Sequence, residues 1–248
     1  MRLEGRRALI TGGTSGIGLA LAQVLAARGV RVVVTGRDAA RAEAVAATLP
    51  GAEAIGVDLA RPDDQDRLVA EVGRRWPDLA ILVNNAGVQV NMPPVGLGDS
   101  GLADALRDEV ALNLAAPAIL TLGLMPVLAG QPGAVVVNIS SGLAIAPKRT
   151  APVYCATKAG LRSLTRGLRL RCQVAAPGIR LVDVVMAYVD TPMTAGRPGR
   201  KLTAESAAVA VTAGLERDLD VIWIGKTRIL SLLDRLAPPL AARIMRGG

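Results

Sequence analysis

Short apolar runs alternate with amphipathic stretches along almost the whole chain. Arg7-Ala-Leu-Ile-Thr11 reads as a short buried strand, and Gly16 to Arg28 has helical spacing, with Ile17, Leu21, Val24 and Leu25 on its apolar face. Gly29 stops that helix. Val-rich Arg31–Thr35 is the second strand, and Asp38 is expected to cap the Ala-rich helix that runs to about Leu49. Ala54–Val57, Leu79–Asn84, Ala134–Ile139, Arg180–Val185 and Val221–Ile224 continue the strands. Between them the pattern predicts helices over Pro62–Trp76, Gly101–Leu128 with breaks at its prolines, Pro152–Gln173 and Ala204–Arg217. A last amphipathic stretch runs from Arg228 to about Met245.

Such alternation implies an α/β fold with parallel strands and right-handed crossovers. No repeat, linker or low-complexity run divides the 248 residues, so one domain over 1–248 is expected.

Composition narrows the chemistry. Hydrophobic residues make up 51% and aromatics only 2%, with no Phe, so the core must be Val, Leu, Ile and Ala. Scarce stacking platforms argue against a nucleic-acid partner. Histidine is absent, which excludes a Ser-His-Asp triad, an HExxH zinc site and a histidine base. Acid–base work therefore falls to Tyr, Lys, Asp, Glu or Cys. No metal site is expected. Cys155 and Cys172 lie on one predicted helix, roughly 25 Å apart at about 1.5 Å per residue. A disulfide needs Cα atoms within about 7 Å, so both are read as free thiols. With an N-terminus that runs straight into the first strand, this points to the cytoplasm. The uncharged stretch from Val110 to Gly130 contains Asn113, Pro117 and Pro126 and reads as a buried or subunit-interface helix rather than a membrane span. Charge is uneven: residues 1–140 carry net −2 and residues 141–248 net +10. The basic half is an Arg-rich solvated face, or it serves an anionic substrate, a phosphorylated cofactor or an acidic surface.

Strand one feeds Thr11-Gly12-Gly13-Thr14-Ser15-Gly16-Ile17-Gly18. Gly12 permits a tight exit from the strand, while Gly16 and Gly18 let backbone approach a pyrophosphate at the helix N-terminus. At the tip of strand two, where NAD enzymes need a carboxylate, stand Thr35-Gly36-Arg37. The Arg37 fork suits a 2′-phosphate, which favours NADP(H). Asp58, before Leu59 at the end of strand three, is placed to accept from an adenine amino group. Tyr154 and Lys158 are i and i+4 on one helix face. A neighbouring ammonium is expected to lower the tyrosine pKa, so that Tyr154 can give a proton to a carbonyl or take one from an alcohol.

Together Thr11–Gly18, Asn84-Asn85-Ala86-Gly87, Asn113, Ser140-Ser141 and Tyr154-Cys-Ala-Thr-Lys158 resemble the motifs of the classical short-chain dehydrogenases/reductases, in order and spacing, over essentially the whole chain. More narrowly, Ser140–Pro147, Pro152–Lys158 and Val189–Gly196 resemble the DltE-like branch. The resemblance implies a Rossmann-type doubly wound fold, a seven-stranded parallel sheet in the order 3-2-1-4-5-6-7 with helices on both faces. It implies Asn113, Ser141, Tyr154 and Lys158 as catalytic: Ser141 holding the substrate oxygen, Asn113 a water in a proton relay. It implies NADP(H) contacts from Gly12, Thr14, Ser15, Gly16, Ile17, Gly18, Arg37, Asp58, Leu59, Asn85, Ala86, Gly87, Tyr154, Lys158, Val189 and Thr191. Asn84 and Asn85 would stabilise strand four.

One departure stands out. The family usually has Pro-Gly or Pro-Pro after strand six, where this chain has Val185-Met186-Ala187-Tyr188. The loss of proline is expected to loosen the loop or make room for an unusual substrate. The expected activity is NADPH-dependent reduction of a ketone or aldehyde of a small molecule, or oxidation of the alcohol. Alternatives are an NADP(H)-sensing scaffold, imine reduction and redox epimerisation. A homodimer or homotetramer is implied. Specificity is assigned to a loop at about 188–202 and to Val88–Gly98. The C-terminal segment, about 228–246, is expected to cap the cleft or meet another subunit before it would touch a membrane.

Overall fold

The computed structural model describes residues 1–93 and 101–245. Its strands are β1 (Arg7–Ile10), β2 (Arg31–Gly36), β3 (Glu53–Gly56), β4 (Leu79–Asn84), β5 (Ala134–Ser141), β6 (Ile179–Met186) and β7 (Val221–Trp223). They form one parallel sheet in the order β3-β2-β1-β4-β5-β6-β7, as expected. The helices are α1 (Gly16–Ala26), α2 (Ala39–Ala47), α3 (Pro62–Arg75), α4 (Leu102–Val110), α5 (Ala116–Gly123), α6 (Met125–Ala129), α7 (Pro152–Ala175), α8 (Ala204–Glu216), α9 (Thr227–Leu236) and α10 (Pro238–Met245).

The central strands bury both faces, because successive side chains point to opposite sides of a sheet that is covered on each, while the edge strands β3 and β7 are partly buried. Ala8, Ile10, Val32, Val34, Ile81 and Val83 face α1 and α8, where Leu21, Leu25, Val211 and Leu215 meet them. Leu9, Val33, Leu82 and Val136 point the other way, to Leu68 and Val72 of α3, Leu120 of α5 and Leu168 of α7. β-Branched valine suits a pleat covered on both sides, so an interior without Phe still packs. Trp76 is the large aromatic exception: it is buried, and its indole N–H donates to Glu53 Oε1 at 2.8 Å.

Capping follows the sequence at Asp38, whose Oδ1 accepts from the Arg41 N–H at 3.0 Å. The long helix predicted over Gly101–Leu128 breaks differently from expectation. Between α4 and α5 lies a π turn, Ala111–Ala115, in which the Ala116 N–H reaches back to the Ala111 carbonyl. Proline is the cause at a distance of four residues. Pro117 has no N–H to give the Asn113 carbonyl, so a regular α turn cannot close there. The C-terminal stretch is likewise two helices, parted at Ala237 ahead of Pro238-Pro239. Among the described residues no helix is long and apolar enough to cross a membrane. The end of the Val88–Gly98 segment, the Arg243 side chain and Arg246 lie outside the described residues.

β1 is followed by a crossover to β2 on one side and lies beside β4 on the other. A doubly wound sheet opens a crevice at such a switch point, outside the carboxyl ends of its strands.

Candidate active site

The crevice is a cleft of about 480 Å³. Its floor is the turn after β1. Gly12 and Gly16 adopt φ of 63° and 52°, where a side chain would be strained. Gly18 is required for another reason: a Cβ there would lie 2.2 Å from the Gly12 carbonyl oxygen and 2.4 Å from Asn85 Nδ2. The turn is pinned from β4. Asn85 Nδ2 donates to the Thr11 and Gly12 carbonyls at 2.9 and 3.2 Å, and Thr11 Oγ1 accepts from the Asn85 and Ala86 N–H groups, each at 3.0 Å. Asn84 faces the other way, donating to Thr121 and Asn138 at 3.2 and 2.8 Å. Ser15 heads α1 without a side-chain cap, which leaves first-turn N–H groups for an anion. At the tip of β2 a Cβ on Gly36 would meet Thr14 Cγ2 at 2.7 Å, so a side chain there would have to displace Thr14. Arg37 is exposed on the cleft rim, and the buried Thr35 Oγ1 has no partner.

The opposite wall comes from α7. Tyr154 and Lys158 are both buried and both line the cleft. Lys158 Nζ donates to the Ile139 carbonyl at 2.9 Å and lies 5.8 Å from the Tyr154 ring centre. Burial pushes the ammonium pKa down to about 8, against a weaker upward pull from Glu109. Burial also pushes the Tyr154 phenol up to about 12, while the Ser141 hydroxyl beside it works the other way. The expected lowering of the tyrosine pKa by lysine is thus not the dominant effect here, because the phenol itself is buried. Ser140 and Ser141 divide their work. Ser140 Oγ is tied to Asp183, which pairs with Arg162 at 2.8 Å, and it also donates to the Val184 carbonyl at 3.1 Å. Ser141 is left to face the phenol.

Asn113 is wholly buried in the π turn. Its Oδ1 accepts from Val88 N–H at 2.9 Å, while Nδ2 donates to the Val88 carbonyl at 2.8 Å and to Thr157 Oγ1 at 3.3 Å. The side chain therefore splints residue 88 to α7, and the kink frees the backbone around it. One turn earlier Glu109 is equally buried; its Oε1 accepts from Val90 N–H at 3.2 Å and its Oε2 has no partner. Burial raises its pKa, against the Val90 N–H and the Lys158 charge.

A glycine-turn crevice facing a buried Tyr-x-x-x-Lys pair is one half of the case, and similarity supplies the other. The family model described as short chain dehydrogenase matches residues 6–201. The chain belongs to the short-chain dehydrogenase/reductase family. Among curated relatives, the uncharacterized oxidoreductase DltE of Bacillus subtilis (strain 168) is 36% identical over 191 residues, covering 77% of this chain and 74% of the relative. Serine 3-dehydrogenase of Agrobacterium fabrum is 36% identical over 195 residues, covering 77% and 75%. Among solved structures, a short chain dehydrogenase from Burkholderia cenocepacia J2315 in complex with NADP superposes with a TM-score of 0.86 at 25% identity, covering 99% of both chains. A short-chain dehydrogenase from Sphingobium yanoikuyae in complex with NADPH has a TM-score of 0.80 at 28% identity, covering 95% of this chain and 94% of that one.

Most of the expected nucleotide residues of this short-chain dehydrogenase line the one cleft: Gly12, Thr14, Ser15, Gly16, Ile17, Arg37, Leu59, Asn85, Ala86, Gly87, Tyr154, Lys158 and Thr191. Gly18, Asn113 and Ser141 stand behind that lining as its supports or its edge. Asp58 is set back too: its Oδ1 accepts from Ala60 N–H at 3.1 Å, and its own N–H donates to Asp64 Oδ2 at 2.6 Å. The segment without proline is not loose. β6 runs one residue further than expected, to Met186, and Val189 bridges Leu202, fastened by Leu202 N–H to the Tyr188 carbonyl at 2.9 Å and Asp190 N–H to the Leu202 carbonyl at 2.8 Å. Sequence reasoning missed Glu109 and Gln89. The position of Glu109, beside Asp108 at the head of an uncharged stretch and four residues before Asn113, was the available signal for it; Gln89 was covered only as part of Val88–Gly98.

Substituting Gly18 by Ala is expected to cost about 1–3 kcal/mol, since backbone rather than a flexible side chain blocks the new methyl. A methyl added at Gly73 of α3 would meet nothing within 4 Å, so that position supplies the control. Thermal melts should show a clear loss for Gly18→Ala and no loss for Gly73→Ala; equal behaviour of the two would contradict the crowding argument.

Proposed function

We propose that this short-chain dehydrogenase is an NADPH-dependent reductase of a ketone or aldehyde, or the reverse oxidase of the alcohol, with Tyr154 as the proton donor. The observation that carries this reading is a buried phenol held beside Ser141 and Lys158 at the end of a nucleotide-sized cleft. The cleft fits the cofactor: glycines at 12, 16 and 18 hold the turn in a close-packed conformation that lines the cleft with backbone, and the uncapped start of α1 supplies donors. Gly12, Thr14–Gly18, Leu59 and Asn85–Gly87 would hold the nucleotide, with Arg37 at the 2′-phosphate and Val189 and Thr191 towards the nicotinamide. Asp58, which caps Ala60, would act at the adenine only from the edge. Bound NADPH supplies the hydride.

The chain's own groups do the rest. Ser141 orients the substrate oxygen against Tyr154. A phenol with pKa near 12 is fully protonated at neutral pH, so the acid for reduction is always present. Lys158 carries the positive charge that favours the phenolate left behind, and loses it near pH 8. Asn113 keeps the kinked backbone in place for resupply of the proton from water. The alternative, an NADP(H)-sensing scaffold, rested on the Met186-Ala187 loop, and the bonds that tie the adjoining Tyr188–Asp190 to Leu202 favour the reductase reading. Apolar side chains left exposed on α4 and α5 (Val110, Ile119, Leu122) and on α7 (Leu170, Val174) support a homodimer or homotetramer of single-domain subunits. Free thiols fit a cytoplasmic setting.

Tyr154→Phe should abolish NADPH oxidation across a panel of carbonyls while NADPH still binds; a retained rate would refute the mechanism. In the active protein, reduction should be flat below about pH 8 and fall above it, whereas alcohol oxidation, which needs phenolate, should rise with pH. Arg37→Ala should weaken NADPH by about 1.5–3 kcal/mol in titration and leave NADH little changed. Equal losses for both would show that Arg37 does not read the phosphate.

A further inference from the structure

The +10 balance of residues 141–248 has one local expression that the nucleotide does not absorb. Where the turn before α7 meets the loop 191–202, Lys148, Arg149, Arg197, Arg200 and Lys201 come from two segments that hold no acid between them. Lys201 is committed to Asp190 at 3.2 Å and to the Thr194 carbonyl at 2.7 Å. Among the described residues Arg197 and Lys148 form no ion pair, although both are half-buried.

Their position is set by contacts with the cleft. Arg197 Nη1 donates to Gln89 Oε1 at 2.6 Å, and Gln89 lines the cleft beside Tyr154. That bond uses the amide's acceptor and leaves Gln89 Nε2 buried without one. The Lys148 N–H donates to the Sγ of Cys155, the residue after Tyr154, at 3.4 Å, and Met92 N–H donates to the Thr150 carbonyl at 2.8 Å. Burial lowers the Lys148 pKa and the Arg197 charge adds to that, while at Tyr154 the Arg197 charge opposes the larger effect of burial. Among the described residues, Arg197, which has no ion pair, and the orphaned Gln89 amide donor meet at the cleft wall that also holds Tyr154, with the Lys148 charge acting nearby. The buried Glu109, whose charge acts on Tyr154, accepts from the Val90 N–H through Oε1.

We propose that this is the seat of an oxyanion on the substrate: the carbonyl compound carries a carboxylate or phosphate that is received by Arg197, Lys148 and Gln89 Nε2. The inference rests on the reductase reading of the cleft. It names the substrate class, an anionic ketone or aldehyde. Arg presents a planar fork and Gln an N–H in reach of it, the donor set that a flat oxyanion satisfies. A carbonyl compound lacking the charge would leave the Gln89 donor buried and unpaired, which is how such a site rejects it.

The test uses three aryl ketones of one skeleton: 4-acetylbenzoate, 4-acetylphenyl phosphate and neutral methyl 4-acetylbenzoate. Their binding to the NADP⁺-loaded protein is measured by calorimetry and their turnover with NADPH by absorbance. At least one anion should bind about tenfold or more tightly than the ester, and the better anion tells carboxylate from phosphate. Arg197→Met and Lys148→Met should each shrink that ratio, and the double variant should bring it near unity. Gln89→Leu, which leaves both charges, should also reduce it, and NADP⁺ affinity reports that each variant is folded. Equal binding of anion and ester, no binding of any of the three, or a preference that survives the double variant would overturn the proposal. Anion-selective binding without turnover would keep this site and count against the reductase reading. Turnover without selectivity would do the reverse.

Discussion

Lys158 is an ammonium taken out of water and given one carbonyl, that of Ile139, as its direct partner. Burial of a charge is costly unless compensated, and the rest of the site is arranged around that cost. β5 runs on to Ser141, so Ile139 presents its carbonyl to the ammonium and Ser141 its hydroxyl to the phenol. α7 places Tyr154 and Lys158 on one face. Asn113 and Glu109 fasten the 88–90 segment over the pair, and Glu109 adds a buried negative charge on the same side. The ammonium is therefore stabilised enough to exist near neutral pH and not so well that it cannot give up its proton.

A second constraint joins this centre to the sheet. Gly18 lets α1 approach the Gly12 carbonyl so closely that Asn85 can bind both the turn and β4. The nucleotide-facing turn and the segment that leads to Val88 are thus one rigid piece, and Asn113 continues it to α7 through Thr157. A polar network of Asn84, Asn138 and Thr165 crosses below it, and Ser140, Asp183 and Arg162 hold the next layer. The positioning groups are buried amides and hydroxyls, with almost no aromatic residues; a chain without histidine or phenylalanine holds its buried Tyr154–Lys158 pair with backbone carbonyls and burial.

Much of this was legible in the sequence. Strand positions followed from Val-rich runs because both sheet faces are covered, and strand β4 was placed to the residue. The glycine turn and the Tyr-x-x-x-Lys pair are local patterns with fixed spacing. What escaped was set by contacts between distant segments. The direction of the Tyr154 shift is set by how deeply folding buries the phenol, and Lys158 Nζ is taken by Ile139, nineteen residues away. The π turn arises from Pro117 acting on Asn113, a consequence of a missing donor rather than of a break at the proline itself. Met186 and Ala187 suggested looseness, yet the bridge from Val189 to Leu202 could be read only after folding. Glu109 and Gln89 became visible only when their partners did.

The site depends on a buried Lys158 whose charge is tempered by Glu109. With four lysines in the chain, ¹³Cε NMR of labelled protein can follow the Lys158 signal, assigned by its absence in Lys158→Met. It should titrate near pH 8 rather than near the ordinary 10.5, and lower still in Glu109→Gln. A Lys158 that titrates near 10.5, or one that Glu109→Gln leaves unmoved, would contradict this arrangement.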